Sequence, residues 1–189
     1  MKKVLVETSA RHVHVNEETF LKLFGNDAEL EVKKMLSQPT QFASQQKVTL
    51  VGPKNSIERV SILGPFRGKN QVEVSATDAR TLGIKTEVRE SGHIDGTPGL
   101  KLVGPKGEVD LKEGLIIAKR HIHATPEDAT ELGVKNGQIV KVKIEGGQRQ
   151  IIFDDVVVRV SPRFKFAMHI DTDEANACFG GIPEGEIIK

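Results

Sequence analysis

Apolar and polar residues alternate with a period of two through much of this chain. The opening run KKVLVET reads as a strand. So do the runs flanking a Gly-Pro turn in KVTLVGPKNSIERVSILGP and in LKLVGPKGEVDL. KVKIEGGQRQIIFDDVVVRVSP sets a Gly-Gly hairpin signal between two more. Between the strands lie short helical patterns: EETFLKLFG, ATDARTLGI, PEDATELGV and DEANACFGG. The first three close on a glycine suited to a C-cap, and the fourth on two. The pattern predicts a mostly β protein with short α-helices, arranged as small barrels or sandwiches.

The four helical patterns superimpose. HVNEETF from His14, EVSATDA from Glu73, HATPEDA from His123 and HIDTDEA from His169 each place a histidine or glutamate two residues before a good N-cap. The caps are Asn16, Ser75, Thr125 and Asp171, and three residues further on stand Thr19, Asp78, Asp128 and Glu174. Three of the four therefore resemble a capping box. Each ligand-type side chain is expected at the end of a strand, just before a helix begins. On a larger scale SARHVHV answers to AKRHIHA, and Glu73 to His169. An internal duplication into two similar subdomains with a pseudo-twofold relation follows. The first half spans residues 1–92, a Gly/Pro-rich connection spans 93–117, and the second half spans 118–189, with strands open to exchange between halves.

Composition narrows the function classes. Twenty-seven lysines and arginines nearly balance 26 aspartates and glutamates, and a net charge of +1 gives no argument for a nucleic-acid or membrane-surface partner. Tryptophan and tyrosine are absent, so base stacking would fall to eight phenylalanines. No apolar run approaches the roughly 18 residues of a membrane span. One cysteine, Cys178, excludes an intramolecular disulfide and fits a reducing, cytoplasmic setting. It is read as a small packing residue.

Within each half, spacing i, i+2 points both histidines of the pair to one face of a strand. Collected, the strand-end residues are His12, His14 and Glu73 in the first half, and His121, His123 and His169 in the second. Five imidazoles and a carboxylate have no apolar-core explanation, because they would bury polar groups without partners. Such ligands suit zinc, copper, iron or nickel more than magnesium or calcium. Three protein ligands per ion, leaving open positions, is the pattern of a catalytic rather than a structural zinc. Arg67 lies six residues before Glu73, with a turn expected between them. Its two readings are a bidentate holder of an oxyanion such as phosphate and a solvated surface arginine. Arg11 and Arg120 precede the paired histidines, are expected on the opposite face, and read as structural.

SARHVHV, GPFRGKNQVEVSATDARTLGI, RESGHIDGTPG and AKRHIHATPEDATELGV resemble the phosphate propanoyltransferase family, the propanediol-utilisation type of phosphotransacylase. The resemblance runs from about residue 4 to residue 180. It implies two small β-barrel domains with short capping helices, a homodimer, and two zinc ions per chain. It also implies interconversion of acyl phosphate plus coenzyme A with acyl-CoA plus phosphate. By the same resemblance His12, His14 and Glu73 hold the zinc that meets the coenzyme A sulfur, and His121, His123 and His169 hold the second. Arg67 takes the phosphate, and Ser9, Lys34, Leu63 and Asn176 line the coenzyme A path.

Two rival readings fit less of the chain. HVHVNEETFLKLFG satisfies one cupin signature through Glu18 and Gly25, yet EETFLKLF reads as a helix where a cupin needs strands. A His-x-His metal-dependent hydrolase on a (β/α)8 barrel needs about 250 residues. Relatives housed in microcompartments usually carry an amphipathic targeting extension ahead of the first histidine motif. Only MKKVLVETSA and Arg11 precede His12, so the expectation is a free cytoplasmic enzyme.

Overall fold

The computed structural model describes residues 2–145, 148–178 and 184–188. The chain opens with β1 (Lys3–Thr8), β2 (His12–His14) and α1 (Glu17–Phe24), then runs through β3 (Val32–Met35), β4 (Phe42–Val51) and β5 (Ser56–Gly64). After β6 (Gln71–Glu73) and α2 (Ala76–Leu82) come β7 (Val88–Arg89), β8 (Lys101–Val103), β9 (Glu108–Asp110) and β10 (Leu115–Ala118). The remainder is β11 (His121–Ala124), α3 (Pro126–Leu132), β12 (Ile139–Glu145), β13 (Ile151–Val160), β14 (Ala167–Ile170), α4 (Thr172–Cys178) and β15 (Glu184–Ile188). The fold is mostly β with short helices, as the period-two pattern predicts. Among the described residues no helix is long and apolar enough to cross a membrane.

The chain divides into two compact units, residues 11–118 and residues 1–10 with 119–189. In the first, a curled nine-stranded sheet runs β7-β10-β6-β2-β5-β4-β8-β9, with β3 paired to β4. Residues 93–117 supply β8, β9 and β10 to that sheet. Its concave side closes over Phe20 and Leu23 of α1, Leu82 of α2, and Leu50, Ile62, Leu102 and Leu115 from the strands, all fully buried. Each such side chain contributes about 1.5–3 kcal/mol by leaving water.

The two VGPK turns hold the helix ends of this unit. Lys54 N donates to the Leu82 carbonyl at the end of α2, and Lys106 N to the Leu23 carbonyl near the end of α1. These bonds satisfy carbonyls that the last helical turn leaves open. A Cβ at Gly52 would collide with the Leu82 carbonyl, and one at Gly104 would meet the Leu23 carbonyl at 2.5 Å, so only glycine permits the approach.

The second unit is a closed six-stranded barrel, β1-β14-β11-β13-β12-β15, returning to β1. β1 runs parallel to β14 and antiparallel to β15, so the first strand of the chain completes this barrel. Its alternation turns Val4 and Val6 into a core with Ile122, Val142, Ile144, Val156 and Met168, and leaves Leu5 outside. The Gly-Gly hairpin signal between β12 and β13 falls on residues 146–147, outside the described residues; the two strands do pair antiparallel.

Strand pairing repeats between the units. β2 lies antiparallel to β6 and parallel to β5, with His12 opposite Glu73 and Ser61. β11 lies antiparallel to β14 and parallel to β13, with His121 opposite His169 and Val157. Arg59 and Asp155, each two residues before the parallel partner, both take positive φ, 59° and 53°.

The helix starts behave as the superimposed patterns predict. Asn16, Ser75 and Thr125 cap α1, α2 and α3, with full capping boxes to Asp78 and Asp128. Asp171 and Glu174 exchange the same pair of bonds at the start of α4. Gly25, Gly83 and Gly133 stand at the ends of α1, α2 and α3. The two glycines expected after α4 lie outside the described residues.

Candidate metal centres

In the unit of residues 11–118, β2 is only three residues long, and its pleat sends Val13 into the core and both histidines to the other face. The N-cap at Asn16 turns the chain away immediately after His14. Glu73, opposite His12, ends β6 just before the Ser75 cap. His12 Nε2 lies 3.5 Å from Glu73 Oε2, and His14 Nε2 lies 3.9 Å from Glu73 Oε1. One ligand atom from each of the three falls within 4.8 Å of the others, and all three residues are buried.

Glu73 is oriented by neighbours. Its Oε1 accepts from Gln71 Nε2 at 2.6 Å and from Ser91 Oγ at 3.0 Å. Gln71 Nε2 also donates to Ser91 Oγ at 2.8 Å, and Gln71 Oε1 accepts from Gly92 N at 2.8 Å. Arg67 joins the same group: its Nη1 donates to Ser91 Oγ at 3.3 Å, and its backbone N–H anchors to the Val15 carbonyl at 2.9 Å. Arg67 is thus one hydrogen bond removed from the Glu73 carboxylate and half-buried rather than a free surface group.

Charge follows this geometry. Burial alone would push the Glu73 carboxyl up. The His12 charge and hydrogen bond, with His14 and Arg67, outweigh it and hold the carboxyl well below the usual carboxylate range. Burial above all, helped by the charges of His12 and Arg67, pushes the His14 imidazole well below 6.5, so it stands neutral, the form that ligates metals. The His14 ring also hydrogen-bonds to the Leu63 backbone, which opposes that shift without overturning it. Two converging imidazoles and a buried carboxylate fit a zinc ion.

The barrel carries the second group. His121 and His123 occupy β11 and His169 occupies β14, directly across from His121. The three rings lie close together, with centroids 4.6 Å apart for His121–His123, 4.9 Å for His123–His169 and 5.2 Å for His121–His169. One nitrogen from each falls within 4.8 Å of the others. His121 Nδ1 lies 2.8 Å from the Lys119 carbonyl, which requires the proton on Nδ1 and puts the lone pair on Nε2. His169 Nδ1 lies 3.7 Å from Glu7 Oε2, from the register partner of His169 on β1. Phe164 stacks on His123 at 4.0 Å between centroids. A three-histidine set with an outer carboxylate also fits zinc.

The remaining sequence-predicted residues distribute as follows. Lys34 of β3 and Leu63 of β5 both pair with Ala43 of β4, one from each side. Their side chains therefore share one face of the sheet, with only a methyl between them. Ser9 follows β1, its N–H on the Ile170 carbonyl at 2.7 Å, and Asn176 is exposed on α4. Cys178 is buried, its thiol directed at the Ala175 carbonyl and pushed up by burial, as a packing residue would be. Glu18, the carboxylate a cupin reading needs, sits exposed on α1 in an ion pair with Lys22. Gln71, Ser91 and Glu7 escaped the sequence reading. Gln71 was within reach of it, being two residues before Glu73 on the same strand face. Ser91 and Glu7 arrive through a loop and a register that no local pattern encodes.

Comparison with known proteins gives the family. A profile of the phosphate propanoyltransferase family matches residues 5–180. The phosphate propanoyltransferase of Listeria monocytogenes is 56% identical over 187 residues, covering 98% of this chain and 87% of that one. The phosphate propanoyltransferase of Enterococcus faecalis is 55% identical, covering 95% and 84%. That of Thermotoga maritima is 51% identical, covering 92% and 83%. With the profile matched over nearly the whole of this chain and such relatives beside it, the chain belongs to the phosphate propanoyltransferase family.

Proposed function

We propose that the chain is a phosphotransacylase that interconverts a short-chain acyl phosphate plus coenzyme A with acyl-CoA plus phosphate. The observation that carries this reading is the joining of a candidate zinc site to an oxyanion holder: Arg67 reaches Glu73 through Ser91 alone. His12, His14 and Glu73 would hold one zinc, and His121, His123 and His169 a second. Zinc, when bound, supplies a Lewis acid that keeps a coordinated thiol as its thiolate, where the free thiol has a pKa near 8.5.

The chain's own groups account for the rest. The neutral His14 ring and the ionised Glu73 are held ready by burial and by the Gln71 and Ser91 hydrogen bonds. The sulfur of coenzyme A attacks the acyl carbonyl carbon, the bond from that carbon to the phosphate oxygen breaks, and phosphate departs as an anion. Arg67 is suited to grip that anion with two parallel N–H donors. Cys178 takes no part, because the substrate brings its own nucleophile. Lys34 and Leu63 on their shared sheet face, with Ser9 and Asn176, are assigned to coenzyme A. The reading includes a homodimer in the cytoplasm, where coenzyme A and acyl phosphates are available.

The test is thioester absorbance with acetyl or propanoyl phosphate and coenzyme A, before and after chelation, alongside elemental analysis. Turnover that vanishes with about two bound zinc ions per chain supports the reading. A metal-loaded protein that forms no thioester from either substrate overturns it.

A further inference from the structure

The arginine immediately before each His-x-His makes the same connection in both units. Arg11 Nη1 lies 2.5 Å from Asp78 Oδ1. Asp78 is the capping-box residue of α2, bonded back to Ser75, and Ser75 stands two residues after Glu73. Arg120 Nε lies 3.3 Å from Glu174 Oε1. Glu174 is the capping residue of α4, bonded back to Asp171, and Asp171 stands two residues after His169. In each unit the bridge therefore runs from the residue just ahead of the strand carrying the first two ligands to the helix that follows the third.

The ladders it reinforces are short. β2 and β6 have three residues each, and β11 meets β14 over three paired positions. A ladder of that length leaves the spacing between the paired histidines and the third ligand weakly held against shear. The arginine side chains are 42% and 30% exposed, and an isolated surface ion pair of that kind contributes little stability. Their carboxylate partners are different: 9% and 21% exposed, and engaged in the N-terminal hydrogen bonds of a helix. The same bridge, at the same place relative to three ligand-type residues, joins different acids (Asp and Glu) and serves different third ligands (Glu73 and His169).

We propose that Arg11 and Arg120 are positioning residues that set the distance between the histidine pair and the third ligand at their respective metal sites. This rests on the zinc-site reading above. Arg11 acts on His12, His14 and Glu73 through Asp78, and Arg120 on His121, His123 and His169 through Glu174.

The experiment titrates zinc into the chelator-stripped full chain against a competing chromophoric chelator, with the melting temperature of the metal-free protein measured in parallel. Arg11→Gln is expected to weaken one zinc equivalent by about ten-fold, the scale of outer-shell substitutions, and Arg120→Gln the other. Asp78→Asn should match Arg11→Gln, and the double variant should be no weaker than either single one, as for two partners in one interaction. Arg11→Lys, which keeps the charge, should recover most of the affinity and guards against a variant that does not fold. Zinc affinities within about two-fold of the parent in every variant, or losses that add in the double variant, overturn the inference. A parent chain that takes up no zinc overturns instead the function proposed above.

Discussion

His121 and His169 stand as direct partners across the antiparallel pair of β11 and β14, the relationship that His12 and Glu73 hold across β2 and β6. The two sites thus share a backbone frame and differ in the third side chain, imidazole in one and carboxylate in the other. That difference sets the formal charge of each site.

Removing one strand-paired ligand should empty one site and leave the other. His12→Ala and His121→Ala are each expected to reduce bound zinc from about two ions to about one and to abolish thioester formation, because three protein ligands are the usual minimum for a catalytic zinc. Far-ultraviolet circular dichroism should remain that of the parent, since both side chains lie at strand ends and outside the apolar clusters. Elemental analysis and activity on the same preparation decide the matter.

Glu73→Gln keeps the shape and still accepts hydrogen bonds from Gln71 and Ser91, but it removes the charge. The variant should fold as the parent does and bind zinc at least about ten-fold more weakly at that site. Equal affinity in a competition titration would show that Glu73 is not a ligand.

Arg67→Lys retains a positive charge and loses the two-pronged donor. The KM for phosphate in the acyl-CoA direction should rise by about ten-fold or more, with the KM for coenzyme A little changed, as expected for loss of a charged hydrogen bond worth about 1.5–3 kcal/mol. Steady-state kinetics with phosphate varied at fixed acyl-CoA measures it.

The metal-free protein should lose stability in acid. His14 is held well below its ordinary 6.5 by burial, so below that pH the unfolded chain binds a proton that the folded chain refuses. The stabilisation is complete above about pH 6.5 and drains away as pH falls toward the depressed folded value. Glu73 adds a loss of the same sign further down, as pH falls below the ordinary carboxylate value of 4.5. Denaturant melts of the chelated protein from neutral to acid pH should show a falling midpoint, and His14→Gln should flatten the part near pH 6.

Gly104→Ala should destabilise the unit of residues 11–118 by about 1–3 kcal/mol, because the added methyl must push back the Leu23 carbonyl that Lys106 N caps. Gly92→Ala is not an equivalent control, since Gly92 takes φ 99°. Gly68, where a Cβ meets nothing, is. A thermal melt of Gly104→Ala that matches Gly68→Ala would contradict the capping role given to the VGPK turn.

Much of this protein was legible one residue at a time. The alternation in KKVLVET, the Gly-Pro turns and the four caps are local signals, because backbone dihedrals and nearest hydrogen bonds set them. The paired histidines were legible for the same reason: a spacing of two on a strand shares a face whatever the strand's neighbours. The repeat of cap and ligand then pointed to Glu73 and His169 as third members.

What only the tertiary structure decided was adjacency between distant segments. Strand register, fixed by which apolar side chains reach the core, puts Glu7 beside His169 and flanks Ala43 with Lys34 and Leu63. The closing of the barrel by β1 is likewise a matter of free edges finding partners. Ser91 meets Arg67 and Glu73 through a Gly-rich loop with no period to read. Arg11 and Arg120 read as structural because a side chain just ahead of a ligand strand carries no sign of the helix it reaches. Such contacts cost chain entropy to form and are repaid only once the whole sheet is in place, so no window of sequence contains them.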